Sequence, residues 1–177
     1  MTLPRRISLI LAPLAVAAVA TTTTTVAAPD TQSAGGLKKI TATGVGKVKL
    51  GKTYKSLRRA KLIGKIGPGC ELEGPRARTA KLRAPLEGSV DFSRGKTRRV
   101  NHITVLGGAA ARGVRVGDNQ EDVLVEFPEA EVDRSTRDRY GVTIIKVPKS
   151  GGGRMEFVIG RGAAVMSINL PGASFCE

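Results

Sequence analysis

Apolar and polar residues alternate over several stretches of this chain. The alternation runs over residues 86–92 and 100–106 in the first half, and over 140–147, 154–159 and 163–170 in the second half. A period of two places one set of side chains on a buried face of an antiparallel sheet and the other set on a solvated face. Polar or glycine-rich turns separate these stretches, which is typical of β-meanders. We therefore predict one antiparallel meander in each half of the chain.

A second pattern precedes each meander and occurs twice. Residues 45–53, VGKVKLGKT, lead into Leu57, and residues 111–119, ARGVRVGDN, lead into Val123, which lies 66 positions after Leu57. Each copy begins with alternating residues, continues through a glycine turn and ends in apolar residues at helical spacing. The pattern predicts an internal repeat in which a short strand and a helix come before the meander.

Both predicted helices have credible first residues. The Thr53 hydroxyl can accept a backbone N–H at the start of the first helix, and Asp118 or Asn119 can do so at the second. Each helix is expected to cover the apolar face of its own meander. We therefore predict an α+β fold of two related units, each a short strand and helix packed on an antiparallel β-meander, with unit 1 over 44–109 and unit 2 over 110–177.

The first residues of the chain follow a different pattern. An arginine pair precedes an apolar run over 7–20, which is the layout of a secretory signal and is shorter than the roughly 20 residues of a membrane-spanning helix. Small and polar residues then follow in low-complexity order. The predicted organisation is a signal peptide over 1–28, cleaved after Ala20 or Ala28, followed by a flexible linker over 29–43. We expect a secreted or cell-envelope protein with no transmembrane anchor after cleavage.

Charge is distributed unevenly between the two halves. Residues 29–108 contain 18 basic and 5 acidic side chains, whereas residues 109–177 contain 9 basic and 10 acidic ones. A basic half predicts an anionic partner, although lysine and arginine can also simply keep an exported protein in solution. The candidate polyanion-binding residues in the basic half are Lys52, Lys55, Arg58, Arg59, Arg98 and Arg99.

Few residues are suited to catalysis or metal binding. Cys70 and Cys176 are the two cysteines, and in an exported chain they predict a disulfide, the alternative being two buried free thiols. His102 is the single histidine, and its place in an alternating segment predicts a hydrogen-bonded strand residue rather than a general base. We therefore expect no metal site, no catalytic residues and no enzymatic activity.

One motif points toward nucleotides. Residues 46–53, GKVKLGKT, match the phosphate-loop pattern GxxxxGKT. The intervening residues alternate as in a strand, however, and no apolar strand ending in a magnesium-binding aspartate follows in a parallel α/β context. The second copy has Gly117-Asp118-Asn119 at the same place. A turn followed by a helix cap explains both copies, so we expect no nucleotide and no other cofactor.

These motifs carry a resemblance. The segment Gly46 to Leu57, the later Gly-Cys-Glu over 69–71, and Gly-Asp followed by Asp-Val in the second copy resemble a group of poorly characterised exported bacterial proteins. The unit is also similar to those of β-lactamase inhibitor protein and of small barrel-assembly lipoproteins. The resemblance implies tandem helix-on-sheet repeats that bind other proteins without catalysis. This chain departs from those relatives because it lacks a lipoprotein cysteine, a cysteine pair in each unit, and tryptophan.

Two functional hypotheses follow. The first is an exported, non-catalytic module that binds an unidentified protein through the exposed faces of its sheets. The second is a protein that binds a polyanion, either a wall polymer or an anionic lipid, through its basic first half. The chain has only two tyrosines and four phenylalanines, so a stacking platform for sugars or single-stranded nucleic acid is not expected.

Overall fold

The computed structural model describes residues 36–148 and 153–174, which form twelve β-strands, three α-helices and one short 3-10 helix. The first half contains β1 (Lys38–Thr41), β2 (Gly44–Val45), β3 (Val48–Lys49), α1 (Tyr54–Arg59), β4 (Gly67–Pro68), the 3-10 helix (Glu71–Glu73), β5 (Arg78–Lys81), β6 (Glu87–Phe92) and β7 (Val100–Gly107). The second half contains β8 (Ala109–Ala110), α2 (Gln120–Glu126), β9 (Glu131–Asp133), α3 (Arg137–Tyr140), β10 (Thr143–Pro148), β11 (Arg154–Ile159) and β12 (Val165–Leu170). The predicted α+β fold is confirmed.

The largest element is an eight-stranded antiparallel sheet in the order β4-β5-β6-β7-β12-β11-β10-β9. Each half of the chain contributes four consecutive strands, from an outer edge inward. The two meanders meet at the centre, where β7 pairs with β12 in the register Val105 to Ile168 and Ile103 to Leu170. The strand order therefore has approximate two-fold symmetry about the β7–β12 pair, as expected for an internal repeat.

Both α1 and α2 pack on one face of this sheet. Leu57 of α1 and Val123 of α2 are buried in the core, 66 positions apart as the repeat predicts. Phe127, which follows α2, contacts Phe157 of β11 with ring centroids 5.4 Å apart. Burial of a large aromatic side chain contributes roughly 1.5–3 kcal/mol. The alternating apolar residues of the central strands thus form the floor of the core, and the helices cover it.

A four-stranded sheet in the order β3-β2-β1-β8 lies beside the repeat junction. Its strand β1 falls within the predicted linker over 29–43, so the linker prediction is wrong for residues 38–41. Ile40 is 3% exposed, and β1 pairs with β2 and, in parallel, with β8. Burial of one apolar residue and pairing with a distant strand order this segment. The predicted signal peptide over 1–28 lies outside the described residues.

The two helix caps differ in detail from each other. At α1, the Thr53 hydroxyl accepts the backbone N–H of Ser56 at 3.2 Å, as predicted. At α2, the N-cap is Asn119, whose backbone N–H donates to the Asp122 carboxylate at 3.0 Å. Asp118 is engaged elsewhere, because its carboxylate accepts the backbone N–H of Arg115. Of the two caps proposed for the second helix, Asn119 is the one used.

Candidate functional site

A cavity of about 700 Å³ lies at the start of α1 and is the candidate site. Three parts of the first repeat form its walls. These are the first turn of α1, the segment leading into β5, and the hairpin that joins β6 to β7. We call this cavity the basic pocket, after its lining cations Lys55, Arg76, Arg78, Arg94, Lys96 and Arg98. Its volume lies within the range typical of ligand-binding cavities.

Backbone hydrogen bonds hold the hairpin against the helix start. The Tyr54 N–H donates to the Arg98 carbonyl at 2.9 Å, and the hairpin is closed by the Ser93 N–H, which donates to the Arg99 carbonyl at 2.8 Å. The Tyr54 ring also packs edge-on against Phe92 at 5.6 Å. These contacts join α1 and the hairpin to the core, so the backbone at Arg98 is held beside the start of α1.

The segment before β5 forms the remaining wall. Pairing of Arg78 with Phe92 brings the start of β5 beside the hairpin. The Arg78 guanidinium donates to the carbonyls of Pro75 at 2.9 Å and Ala77 at 2.7 Å. These neutral acceptors orient the group without neutralising its charge. The half-buried Arg78 therefore presents a fixed positive charge to the pocket.

The charge in the basic pocket is of one sign. Six of its lining residues are lysine or arginine and none is acidic. None of the six forms an ion pair within the part of the chain that the structure describes. Like charges gathered in one recess repel each other and raise the local concentration of anions. Arginine adds a planar fork of donors that matches phosphate and carboxylate groups. The pocket is thus suited to a multiply charged anion.

The structure divides the six candidate residues into groups. Lys55 and Arg98 line the basic pocket. Arg58 and Arg99 each donate to a backbone carbonyl of their own repeat, at 3.4 Å and 3.0 Å. Their side chains therefore stabilise the fold around α1 and the hairpin rather than lining the cavity.

The other two candidates, Lys52 and Arg59, are exposed residues that do not line the pocket. Four lining residues had not been singled out, namely Arg76, Arg78, Arg94 and Lys96. All four belong to the basic half, so net charge could have indicated them. Their convergence depends on strand pairing between distant segments, which sequence spacing does not reveal.

The phosphate-loop motif forms a hairpin and a helix cap. Backbone N–H groups that would have to face a phosphate are paired with carbonyls of the fold. The Gly46 N–H donates to Lys39, the Leu50 N–H to Thr43 and the Gly51 N–H to Val100, at 2.7–3.0 Å. A phosphate loop needs such groups free and converging on one anion. The motif residues do not offer this geometry.

His102 lies on β7, on the face of the large sheet opposite the helices. Its Nδ1 is 3.1 Å from the Asp91 carboxylate, and its Nε2 is 2.5 Å from the Gly172 carbonyl. A general base needs one ring nitrogen facing the substrate. Both nitrogens of His102 contact oxygens of the protein instead. The residue connects the segment after β12 to the sheet, as a hydrogen-bonded strand residue would.

The predicted disulfide involves one residue outside the described ranges, Cys176. Cys70 lies just before the 3-10 helix, and it lines a cavity of about 470 Å³ together with His102 and Ser174. Ser174 is two positions before Cys176, so the described chain runs to the neighbourhood of Cys70. The Cys70–Cys176 bridge stays a prediction that this proximity supports.

The described part of the chain has neither a cluster of metal ligands nor a membrane-spanning helix. No three histidine, cysteine, aspartate or glutamate side chains there come together in a way that could hold a metal ion. No helix in the described ranges has the length and apolar character of a membrane span.

Comparison with known proteins adds no family. No protein-family model, no curated protein and no solved structure matches this chain.

Proposed function

We propose that this chain is an exported, non-catalytic protein that binds an anionic polymer of the cell envelope through the basic pocket. The observation that carries this proposal is the convergence of six cations on one cavity without a lining acid. A solubilising role alone would leave such charges dispersed, because gathering them is electrostatically unfavourable. An anionic ligand removes that cost, so the clustering is accounted for by binding.

A polymer fits better than a lipid bilayer. Proteins that lie on a membrane bring an apolar surface to the interface beside their basic residues. In the basic pocket the one aromatic lining residue is Tyr54, which is half-buried and packed against Phe92. A recess lined by charge accepts chain segments or anionic groups from solution. We therefore favour a soluble or wall-attached polyanion with phosphate or carboxylate groups.

The protein-partner hypothesis is weaker on this surface. The large apolar side chains with the highest exposure in the described residues are distributed over five separate segments. They are Leu37, Leu72, Leu106, Val125 and Met166. Docking surfaces for proteins carry a contiguous apolar centre. Two of them, Leu106 and Met166, lie on the neighbouring strands β7 and β12, and the other three come from separate segments. The basic pocket is a more developed recognition feature than this set of residues.

Co-sedimentation with isolated cell envelope across a salt series of about 50 to 500 mM tests the proposal, since this range strongly shortens the electrostatic screening length. We expect binding at low salt that collapses as salt rises, and that free polyphosphate competes away. Vesicles with anionic headgroups serve as the lipid arm and are expected to bind more weakly than the wall fraction. Binding that persists at high salt would instead indicate a specific protein partner.

A further inference from the structure

The second repeat contains a cavity of its own, of about 530 Å³. Three arginines line it, Arg134, Arg137 and Arg161, together with one acid, Asp138. We call it the arginine pocket. No sequence feature indicated it, because the second half of the chain contains 9 basic and 10 acidic residues and is close to neutral overall.

The arginine pocket is the counterpart of the basic pocket. Gln120, the first residue of α2, lies 66 positions after Tyr54, the first residue of α1, and each lines the pocket of its own repeat. The other walls also correspond. Each pocket uses the segment leading into the second meander strand, β5 or β10, and the hairpin joining the third and fourth strands. The same fold position thus forms a cation-lined recess twice.

Charge is segregated locally in this recess. Three basic residues and one acid line it, whereas the half-chain as a whole has slightly more acids than bases. Within the described residues, none of the three arginines forms an ion pair. Their guanidinium groups therefore keep donors available for an oxyanion.

The backbone of Gly141 helps to position one of these groups. Gly141 ends α3 in the left-handed conformation, with φ of 70°. A Cβ at this position would lie 2.7 Å from Nε of Arg161, so the guanidinium rests close against the glycine backbone. A residue without a side chain is what this close approach requires.

The two pockets lie at opposite ends of the large sheet. Because β7 and β12 are antiparallel, the β6–β7 hairpin at the start of β7 lies far from the β11–β12 hairpin at the start of β12. β7 has eight residues. At roughly 3.4 Å per residue, the separation along the strands is about 27 Å. A short anion cannot reach both pockets.

We propose that the arginine pocket is a second anion-binding site, which takes a single oxyanion group of the phosphate or carboxylate type. The protein then binds one anionic group at each end of its large sheet. The site itself stands on its own geometry, while its use in polymer binding rests on the function proposed for the basic pocket.

Isothermal titration of the full exported chain with tripolyphosphate at low salt tests this. We expect two binding events per chain. Arg137→Gln is expected to weaken one of them about tenfold, because one hydrogen bond between charged groups is lost. Arg139→Gln is the matched control, since Arg139 lies on the same helix α3 but does not line the pocket. It should leave both events unchanged.

The outcomes separate the two proposals. A single event that disappears in Arg94→Gln/Arg98→Gln and is insensitive to Arg137→Gln overturns the second site and leaves the proposed function intact. If two events occur, and Arg137→Gln affects one while Arg94→Gln/Arg98→Gln affects neither, the basic pocket is overturned and the arginine pocket is supported. Equal weakening by Arg137→Gln and Arg139→Gln would show that net charge alone is responsible, and it overturns the second site. Absence of binding, both in the heat of titration and in the phosphorus NMR shift of the anion, contradicts both.

Discussion

Replacing two arginines of the β6–β7 hairpin should weaken polyanion binding and reduce its salt dependence. Arg94 and Arg98 both line the basic pocket. If all six lining cations contact phosphates of a flexible chain, the slope of log K against log salt is about −4, from about −0.7 per contact. Arg94→Gln/Arg98→Gln lowers the contacts to four and the slope to about −3. At 0.1 M salt each lost contact costs about fivefold, so affinity should fall about 25-fold.

Fluorescence anisotropy with labelled long-chain polyphosphate, from about 50 to 500 mM salt, measures both quantities. The control variant Arg59→Gln/Arg83→Gln removes the same charge from exposed residues that line neither cation pocket. It should retain the native slope and nearly the native affinity. Equal losses in the two double variants would refute the reasoning, because binding would then follow net charge and not the arrangement of cations in the pocket.

Three further predictions concern stability. Phe157 is 0% exposed, and Phe157→Ala should destabilise the protein by about 3–5 kcal/mol in denaturant unfolding, against less than about 0.5 kcal/mol for Val125→Ala at a residue that is 77% exposed. The hydrogen bond from Lys146 at 2.6 Å holds the pKa of Asp133 well below its ordinary value of 3.8. The contribution of this pair to folding stability is therefore complete at pH values above 3.8 and declines as the pH falls below that value. The thermal midpoints of wild type and Asp133→Asn should therefore differ at neutral pH and converge in acid; a constant difference would exclude this linkage. Finally, Cys70→Ser removes the predicted disulfide, which closes a loop of about 100 residues, and should lower the free energy of unfolding by about 4.7 kcal/mol. Reductant should lower the stability of the wild type but not that of the variant.

The parts of the fold that could be predicted are those with a local signal. Strands β6, β7, β11 and β12 follow from alternation, and the starts of α1 and α2 follow from a repeated turn and cap. In contrast, β4, β9 and α3 span two to four residues each and have no periodicity that could be recognised. Strand β1 was mistaken for linker because its order comes from β8, about 70 positions away in the chain, and pairing of that kind is set by the whole fold.

The candidate site could likewise be predicted only in part from the sequence. Total charge pointed to the first half, where the basic pocket lies, and Lys55 and Arg98 of the predicted residues line that pocket. The segment containing Arg76 and the hairpin containing Arg94 approach α1 only after β5 and β6 have paired. The arginine pocket was hidden for a different reason. Its positive charge is cancelled in the half-chain sum by acids elsewhere, including those in the first turn of α2.

Mapping the polyanion onto the protein by backbone amide chemical shifts is the most direct test of the proposed function. The measurement follows each backbone amide of the protein as polyphosphate is added at low salt. We expect the largest changes at the three walls of the basic pocket, around Lys55, Arg76 and Arg94–Arg98, with a second and separate set around Arg137 and Arg161. Changes concentrated on the helix-free face of the large sheet, around His102 and Thr104, or spread evenly over exposed lysines, would contradict the account.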